Sequence, residues 1–168
     1  MSMDIRRFFK HLFFTDAQVR RAFAPATLQA IEQAIHANEK LHSGEIRFAV
    51  EGGLDSALVA AGLSARERAI EVFSQLRVWD TERNNGVLIY VLLADHAVEI
   101  VADRGIHTKA GTASWDAICK EMETEFSKSA FHTGALGGIA AVASLMTAHF
   151  PPDDADVNEL PNAPVLLK

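Results

Sequence analysis

Apolar positions recur along this chain with two different periods, and the switches between them mark out its elements. Residues 4–23 carry a helical pattern that ends before Pro25. From Pro25 to about Leu41 a second helical stretch sets Leu28, Ile31 and Ile35 on one face, with Pro25 suited to the first turn. His42-Ser43-Gly44 stops it. Glu45 to Glu51 then alternates with period two, which predicts a strand with Ile46, Phe48 and Val50 facing inward, ended by Gly52-Gly53. Ser64-Ala65-Arg66-Glu67 is a capping box. It opens a helix to about Arg77, with Ala69, Ile70, Phe73 and Leu76 as its apolar stripe.

After a polar loop from Trp79 to Gly86, the run Val87–Leu93 is apolar without alternation, the pattern of a central strand covered on both faces. Ala94-Asp95-His96 is short enough for a hairpin turn, and residues 97–102 return antiparallel. Asp103-Arg104-Gly105 breaks that strand. A helix over about Ala113–Lys128 puts Trp115, Ile118, Met122 and Phe126 on one side, and another covers about His132–His149. The second is rich in Gly and Ala between Gly134 and Ala141. Each glycine weakens a free helix by about 1 kcal/mol, so tight packing is the reason such a run is tolerated. Beyond Pro151-Pro152 the acidic, proline-containing tail is expected to be extended or loosely held. The organisation expected is a helical extension (1–24), an α/β domain (25–150) and a tail (151–168).

Composition narrows the class. At 168 residues, 49% hydrophobic and 23% charged, the chain has the balance of one globular domain. A chain of this length buries about 68–70% of its unfolded surface and needs no disulfide or structural metal to fold. The single cysteine, Cys119, excludes an internal disulfide and reads as an inert core thiol, with no disulfide-linked oligomer and a cytoplasmic location expected. A net charge of −6 speaks against a nucleic-acid surface. Phe8–Phe14 is short and interrupted by Lys10 and His11, unlike a signal peptide, and no run reaches the roughly 20 apolar residues of a membrane span. The mixture of Arg6, Arg7 and Lys10 with four phenylalanines fits either a helix laid on the core or a weak membrane-surface or partner-binding helix.

The order of elements and three local motifs resemble the TPM domain family over roughly residues 28–149. The motifs are Ser43-Gly44-Glu45-Ile46, the Trp79 loop ending in Asn84-Asn85-Gly86-Val87-Leu88-Ile89, and Val98-Glu99-Ile100-Val101 followed by Asp103-Arg104-Gly105-Ile106. The resemblance implies a three-layer α/β/α sandwich with a small mixed β-sheet. It also implies a choice of roles, since members of that family include acid phosphatases, calcium binders and accessory proteins. Many members are secreted or membrane-anchored, whereas no signal peptide or anchor is expected here. The turn Ala102-Asp103-Arg104-Gly105 is less glycine-rich than in many members.

Topology gathers the candidate chemistry. A strand, a crossover helix and a parallel strand start the first two strands at one end of the sheet, and the hairpin returns the third to that end. Glu45, the loop Asp80–Asn85 and Asp103-Arg104 should therefore meet at one rim, with Glu51, Asp55, Asp95 and His96 at the other. Glu45, Asp80, Glu82, Asn84 and Asp103, with Asn85 beside them, offer hard oxygen ligands that suit Ca²⁺ or Mg²⁺. A cation would relieve the repulsion of gathered carboxylates. With a metal present, Asp80, Asp103 and the bidentate Arg104 would form a catalytic set for a phosphomonoester attacked by metal-bound water. The plainer alternative is that Arg83 or Arg104 pairs with Asp80 or Asp103, and that Asp80 and Asn84 only shape turns. No organic-cofactor motif is present. Three functions follow as expectations: a module binding a divalent cation or an unidentified protein partner, a phosphatase taking a small phosphorylated ligand, and a peripheral membrane scaffold acting through the N-terminal helix.

Overall fold

The alternating segment Glu45–Glu51 becomes β1, and every one of its residues is buried. In the computed structural model, which describes residues 4–168, the order of elements is α1 (Ile5–Leu12), α2 (Asp16–Ala22), α3 (Pro25–Asn38), β1 (Glu45–Glu51), α4 (Ser56–Ala60), α5 (Ala65–Gln75), β2 (Gly86–Leu92), β3 (Ala97–Ala102), α6 (Arg104–Ala110), α7 (Thr112–Ser127), α8 (Phe131–His149) and β4 (Val165–Leu167). The strands lie in the order β3-β2-β1-β4. β1 runs parallel to both β2 and β4, and β3 is antiparallel to β2. Helices cover both faces. Ile46, Phe48, Val50, Val87, Ile89 and Val91 pack in the core shared with α3, α7 and α8. Ala49, Leu88, Tyr90 and Leu92 pack in the one shared with α4 and α5. This is the α/β/α sandwich with a small mixed sheet that the sequence leads one to expect.

The differences have identifiable causes. Residues 4–23 form two helices, because the first closes at Phe13 and Thr15 caps the second. Its hydroxyl accepts from the Gln18 N–H, and its own N–H donates to Gln18 Oε1 at 2.8 Å. The first three residues of the expected extension lie outside the described residues. On α5 the buried positions are Ala69 and Val72, with Phe73 and Leu76 partly buried, while Ile70 stands 49% exposed. The column 65-69-72-73-76 carries the apolar contact and Ile70 belongs to the next one. Asp103 does more than break β3, since it caps α6.

The largest difference concerns the tail. Instead of staying loose, it returns to the sheet as β4, with Val165 opposite Ala49 on the free edge of β1. The polar face of β1 explains why. Arg47 donates to the carbonyls of Pro161 and Ala163, and Glu45 accepts from the N–H groups of Glu159 and Leu160. Leu160 is buried against the α4–α5 face. Buried charges are retained where hydrogen bonds satisfy them, and here the tail supplies those bonds.

By length and composition α8 would pass for a membrane span. Gly134, Ala135, Gly138, Ile139, Val142, Ala143 and Met146 are instead buried in the core, and the helix packs on α3 and α7. A Cβ added at Gly138 would lie 2.2 Å from Met122 Sδ, so the small-residue run is a close seam with α7.

Candidate functional site

The three stretches expected to share a rim do so through their backbones. Glu45 aligns with Gly86, and Val87 with Ala102. The Glu45 N–H donates to the Asn85 carbonyl at 3.3 Å, and the Asp103 N–H donates to the Gly86 carbonyl at 2.9 Å. Asn85 ties the parts together. It is buried, its Nδ2 donates to the Ser43 carbonyl at 2.9 Å, and its N–H donates to Thr81 Oγ1 at 3.2 Å. Asn84 adopts a positive φ of 52°, which asparagine tolerates better than most residues. Gly105 presses on that turn: a Cβ there would lie 2.5 Å from the Asn84 carbonyl oxygen.

The side chains then part company. Asp80 is half-exposed and accepts from Arg77 Nη2 at 2.7 Å. Glu82, Asn84 and Arg104 are exposed. Asp103 Oδ1 accepts from the Arg104 N–H at 2.7 Å, while its Oδ2 is buried without a partner. Arg83 pairs with Asp153 of the tail and donates to Ser43 Oγ at 3.3 Å. Arginine pairing therefore operates at this rim, with Arg77 on Asp80 and Arg83 on Asp153. Among the described residues no three His, Cys, Asp or Glu side chains are arranged to hold a metal ion.

Glu45 faces a different set of neighbours. It lines a pocket of about 350 Å³ together with Glu39, Asp153, Asp154 and Asp156, and Lys40 is the cationic side chain of that lining. Burial pushes the Glu45 carboxyl up to about 7, against the pull of the two tail N–H groups, with a further push from the charges of Glu39 and Asp156. Burial also raises Asp156. His42 borders the same pocket and is buried. Its Nδ1 accepts from the Gly44 N–H at 3.2 Å, so its hydrogen sits on Nε2, which has no acceptor among the described residues. Burial lowers its pKa and keeps the ring neutral. Glu39 Oε1 is likewise buried without a donor, while Oε2 is engaged by His36 Nδ1 at 3.0 Å. The pocket is thus lined by five carboxylate residues and one lysine, with His42 as its neutral neighbour.

The profile of the TPM domain matches residues 18–145. The chain belongs to the TPM domain family. Among solved structures it is similar to the BA42 protein of the psychrophilic bacterium Bizionia argentinensis, at 31% identity and a TM-score of 0.74 over 84% of this chain and 93% of that one. It also resembles the N-terminal domain of a protein from P. gingivalis, at 16% identity and a TM-score of 0.61 over 76% of this chain and 78% of that one, a likeness of fold alone. No curated protein matches.

In this TPM domain the Asn84-Asn85-Gly86 run is the junction on which the other two motifs close. Sequence reasoning missed Glu39, Asp153, Asp154 and Asp156 as pocket residues. The available signal was the apolar cluster Val165-Leu166-Leu167 behind the acidic run, which marks the tail as a segment with something to pack against. Cys119 is half-buried, and burial pushes its thiol up to about 12, the inert behaviour expected of it. At the opposite end of this TPM domain the Asp95 carboxylate is held by Arg7 and by His11 Nε2 at 2.8 Å. Burial raises that carboxyl, but the bonds from Arg7 and His11 outweigh it and the net shift is downward.

Proposed function

We propose that this TPM domain binds a divalent cation, Ca²⁺ or Mg²⁺, in the acidic pocket beside Glu45, and that the ion fastens the tail segment 153–160 to the sheet. The observation that carries this reading is the state of Glu45, a buried carboxylate with four other carboxylates around one small pocket. The core side contributes Glu39 and Glu45, and the tail contributes Asp153, Asp154 and Asp156. Above about pH 7, where Glu45 is ionised, the carboxylates of the two walls would repel, and a hard cation between them would turn the repulsion into attraction. Since no three of these groups are placed for direct ligation, the ion would be held partly through its own water, as Mg²⁺ commonly is. Glu45 is the member of the sequence-derived ligand set that lines this pocket. Asp80, Glu82, Asn84 and Asp103 do not line it.

Thermal unfolding at about pH 8 with and without millimolar Ca²⁺ or Mg²⁺ tests the reading. A site that holds the ion partly through water suits a dissociation constant of about 10⁻⁴–10⁻³ M. A tenfold excess over that constant stabilises the fold by about 1.4 kcal/mol, a rise of about 3–5 °C for a chain this size. The Glu39→Gln/Asp156→Asn double variant should lose that rise. An absent shift with both ions, or an equal one in the double variant, removes the proposal. No observation favours the phosphomonoesterase reading over this one, because Asp80 is engaged with Arg77 and Asp103 caps its own helix.

A further inference from the structure

Helix α1 is turned inside out. A helix on a protein surface ordinarily buries its apolar stripe and shows its charges to water. Here the inward side is polar. Arg7 reaches Asp95 through Nε and Nη2, at 3.1 and 2.8 Å, and donates to the Leu63 carbonyl at 2.7 Å. His11, with a fully buried side chain, lies 2.8 Å from Asp95 Oδ1, and its Nδ1 accepts from the Leu54 N–H at 2.8 Å. Phe8 alone of the aromatic residues on α1 is half-buried against the core. The outward side is apolar: Ile5, Phe9, Leu12 and Phe13 are 60%, 48%, 51% and 69% exposed. At 3.6 residues per turn these four fall within about 100° of arc. The rings of Phe9 and Phe13 stack at 5.8 Å. These four are nearly half of the exposed large apolar residues described, and the other five are spread over Leu41, Ile70, Trp79, Val157 and Leu166. Scattered exposed residues are ordinary, whereas a contiguous patch marks an interaction surface.

Charge decides what meets this patch. Residues 1–21 carry five Lys or Arg against two Asp, a local +3 in a chain of net −6. Arg7 is spent on Asp95, but Arg6, Lys10, Arg20 and Arg21 are exposed. An isologous pairing of two copies through α1 would bring the cations flanking both stripes, Arg6 and Lys10, into one interface, where like charges repel. A neutral apolar partner would leave them without use. A bilayer surface bearing anionic headgroups satisfies both features: the apolar stripe enters the headgroup–acyl boundary while the flanking cations meet the lipid charge.

We propose that the exposed stripe Ile5-Phe9-Leu12-Phe13 of α1, flanked by Arg6 and Lys10, docks this domain on an anionic lipid surface, with the Arg7–Asp95–His11 cluster holding the helix at the angle that presents it. One short helix gives weak, reversible attachment, and the acidic remainder of the molecule turns away from the membrane.

The test is co-sedimentation of the full chain with vesicles of phosphatidylcholine alone or mixed with phosphatidylserine, alongside light scattering of the free protein. The wild type should partition onto the phosphatidylserine vesicles, bind phosphatidylcholine poorly, and lose binding as salt rises from about 0.1 M to about 1 M. Phe9→Ser and Phe13→Ser should each lower partitioning by about tenfold or more. Lys10→Glu should lower it by at least about fivefold. All three positions are exposed, so their melting temperatures should stay at the wild-type value, and that measurement separates lost docking from lost fold. Binding that ignores headgroup charge, or that is unchanged in the phenylalanine variants, overturns the proposal. A concentration-dependent dimer abolished by Phe13→Ser with no vesicle binding also overturns it and assigns the stripe to a second copy.

Discussion

Arg68 holds Glu51 with two nitrogens, Nε on one carboxylate oxygen and Nη2 on the other, each at 2.9 Å. Both side chains are largely buried, and the Tyr90 hydroxyl donates to the same carboxylate at 2.5 Å. Burial and then the Glu51 charge push the Tyr90 hydroxyl upward, so it remains a donor. Taking away the cation strands a buried carboxylate. Arg68→Ala should cost about 3–5 kcal/mol in urea unfolding. Arg68→Lys should recover only part of that, because an ammonium cannot span both oxygens. A loss below about 1 kcal/mol in the alanine variant would show that water reaches Glu51 and satisfies it.

Glu45 makes stability depend on pH in a definite direction. In the folded protein its carboxyl titrates at about 7, above the ordinary glutamate value of 4.5. Between those values the folded state binds more protons than the unfolded one, so unfolding free energy falls as pH rises. The contribution is complete below about 4.5 and is lost as pH passes through about 7. At about 1.4 kcal/mol per unit, the whole effect is bounded by about 3.5 kcal/mol. Denaturant titrations at about pH 5 and about pH 8 should show a larger drop for the wild type than for Glu45→Gln. Equal drops in the two proteins would place the titration elsewhere.

Gly105 and Asn85 hold the rim closed by shape and by hydrogen bonding respectively. Gly105→Ala drives a methyl group into the Asn84 carbonyl, which is backbone and cannot step aside cheaply. We expect a cost of about 1–3 kcal/mol. Asn85→Ala leaves the Ser43 carbonyl without its 2.9 Å donor and should cost about as much. Calorimetric melting of both variants checks this, and a Gly105→Ala protein that melts with the wild type would mean that the Arg83–Asn84 turn gives way freely.

Arg47 is the latch of the tail. Arg47→Met keeps the apolar stem but loses the bonds to the Pro161 and Ala163 carbonyls. Amide exchange should then quicken at Glu159, Leu160 and β4, while β2 and β3 keep their protection, the mark of local rather than global opening. Uniform acceleration across all strands would show that the tail and the sheet open as one unit.

Much of the architecture was legible in the sequence because local signals agreed with the final packing. The non-alternating run at Val87–Leu93 announced a strand covered on both faces, the Ser64–Glu67 box opened α5, and the three motifs met where strand polarity required. What escaped notice depended on partners distant in the chain. Arg47 and Glu45 look like the solvent side of a strand until the tail covers them. Asp80 and Asp103 look like ligands until Arg77 and the α6 backbone claim them. The break before Thr15 was readable in its own capping box with Gln18, but a continuous apolar pattern masked it. The inverted polarity of α1 could not be read from its own segment, since the partners that show which side faces in, Asp95, the Leu63 carbonyl and the Leu54 N–H, lie far along the chain.

The joining of β4 to β1 has a kinetic side. Val165 meets Ala49 from more than a hundred positions away, so this strand addition pays a larger loop-closure penalty than the local hairpin between β2 and β3. It should be among the last contacts to form. Until it does, β1 lies at the border of a three-stranded intermediate with a row of free amide and carbonyl groups, and that transient species is where intermolecular strand pairing would compete with completion of the native fold.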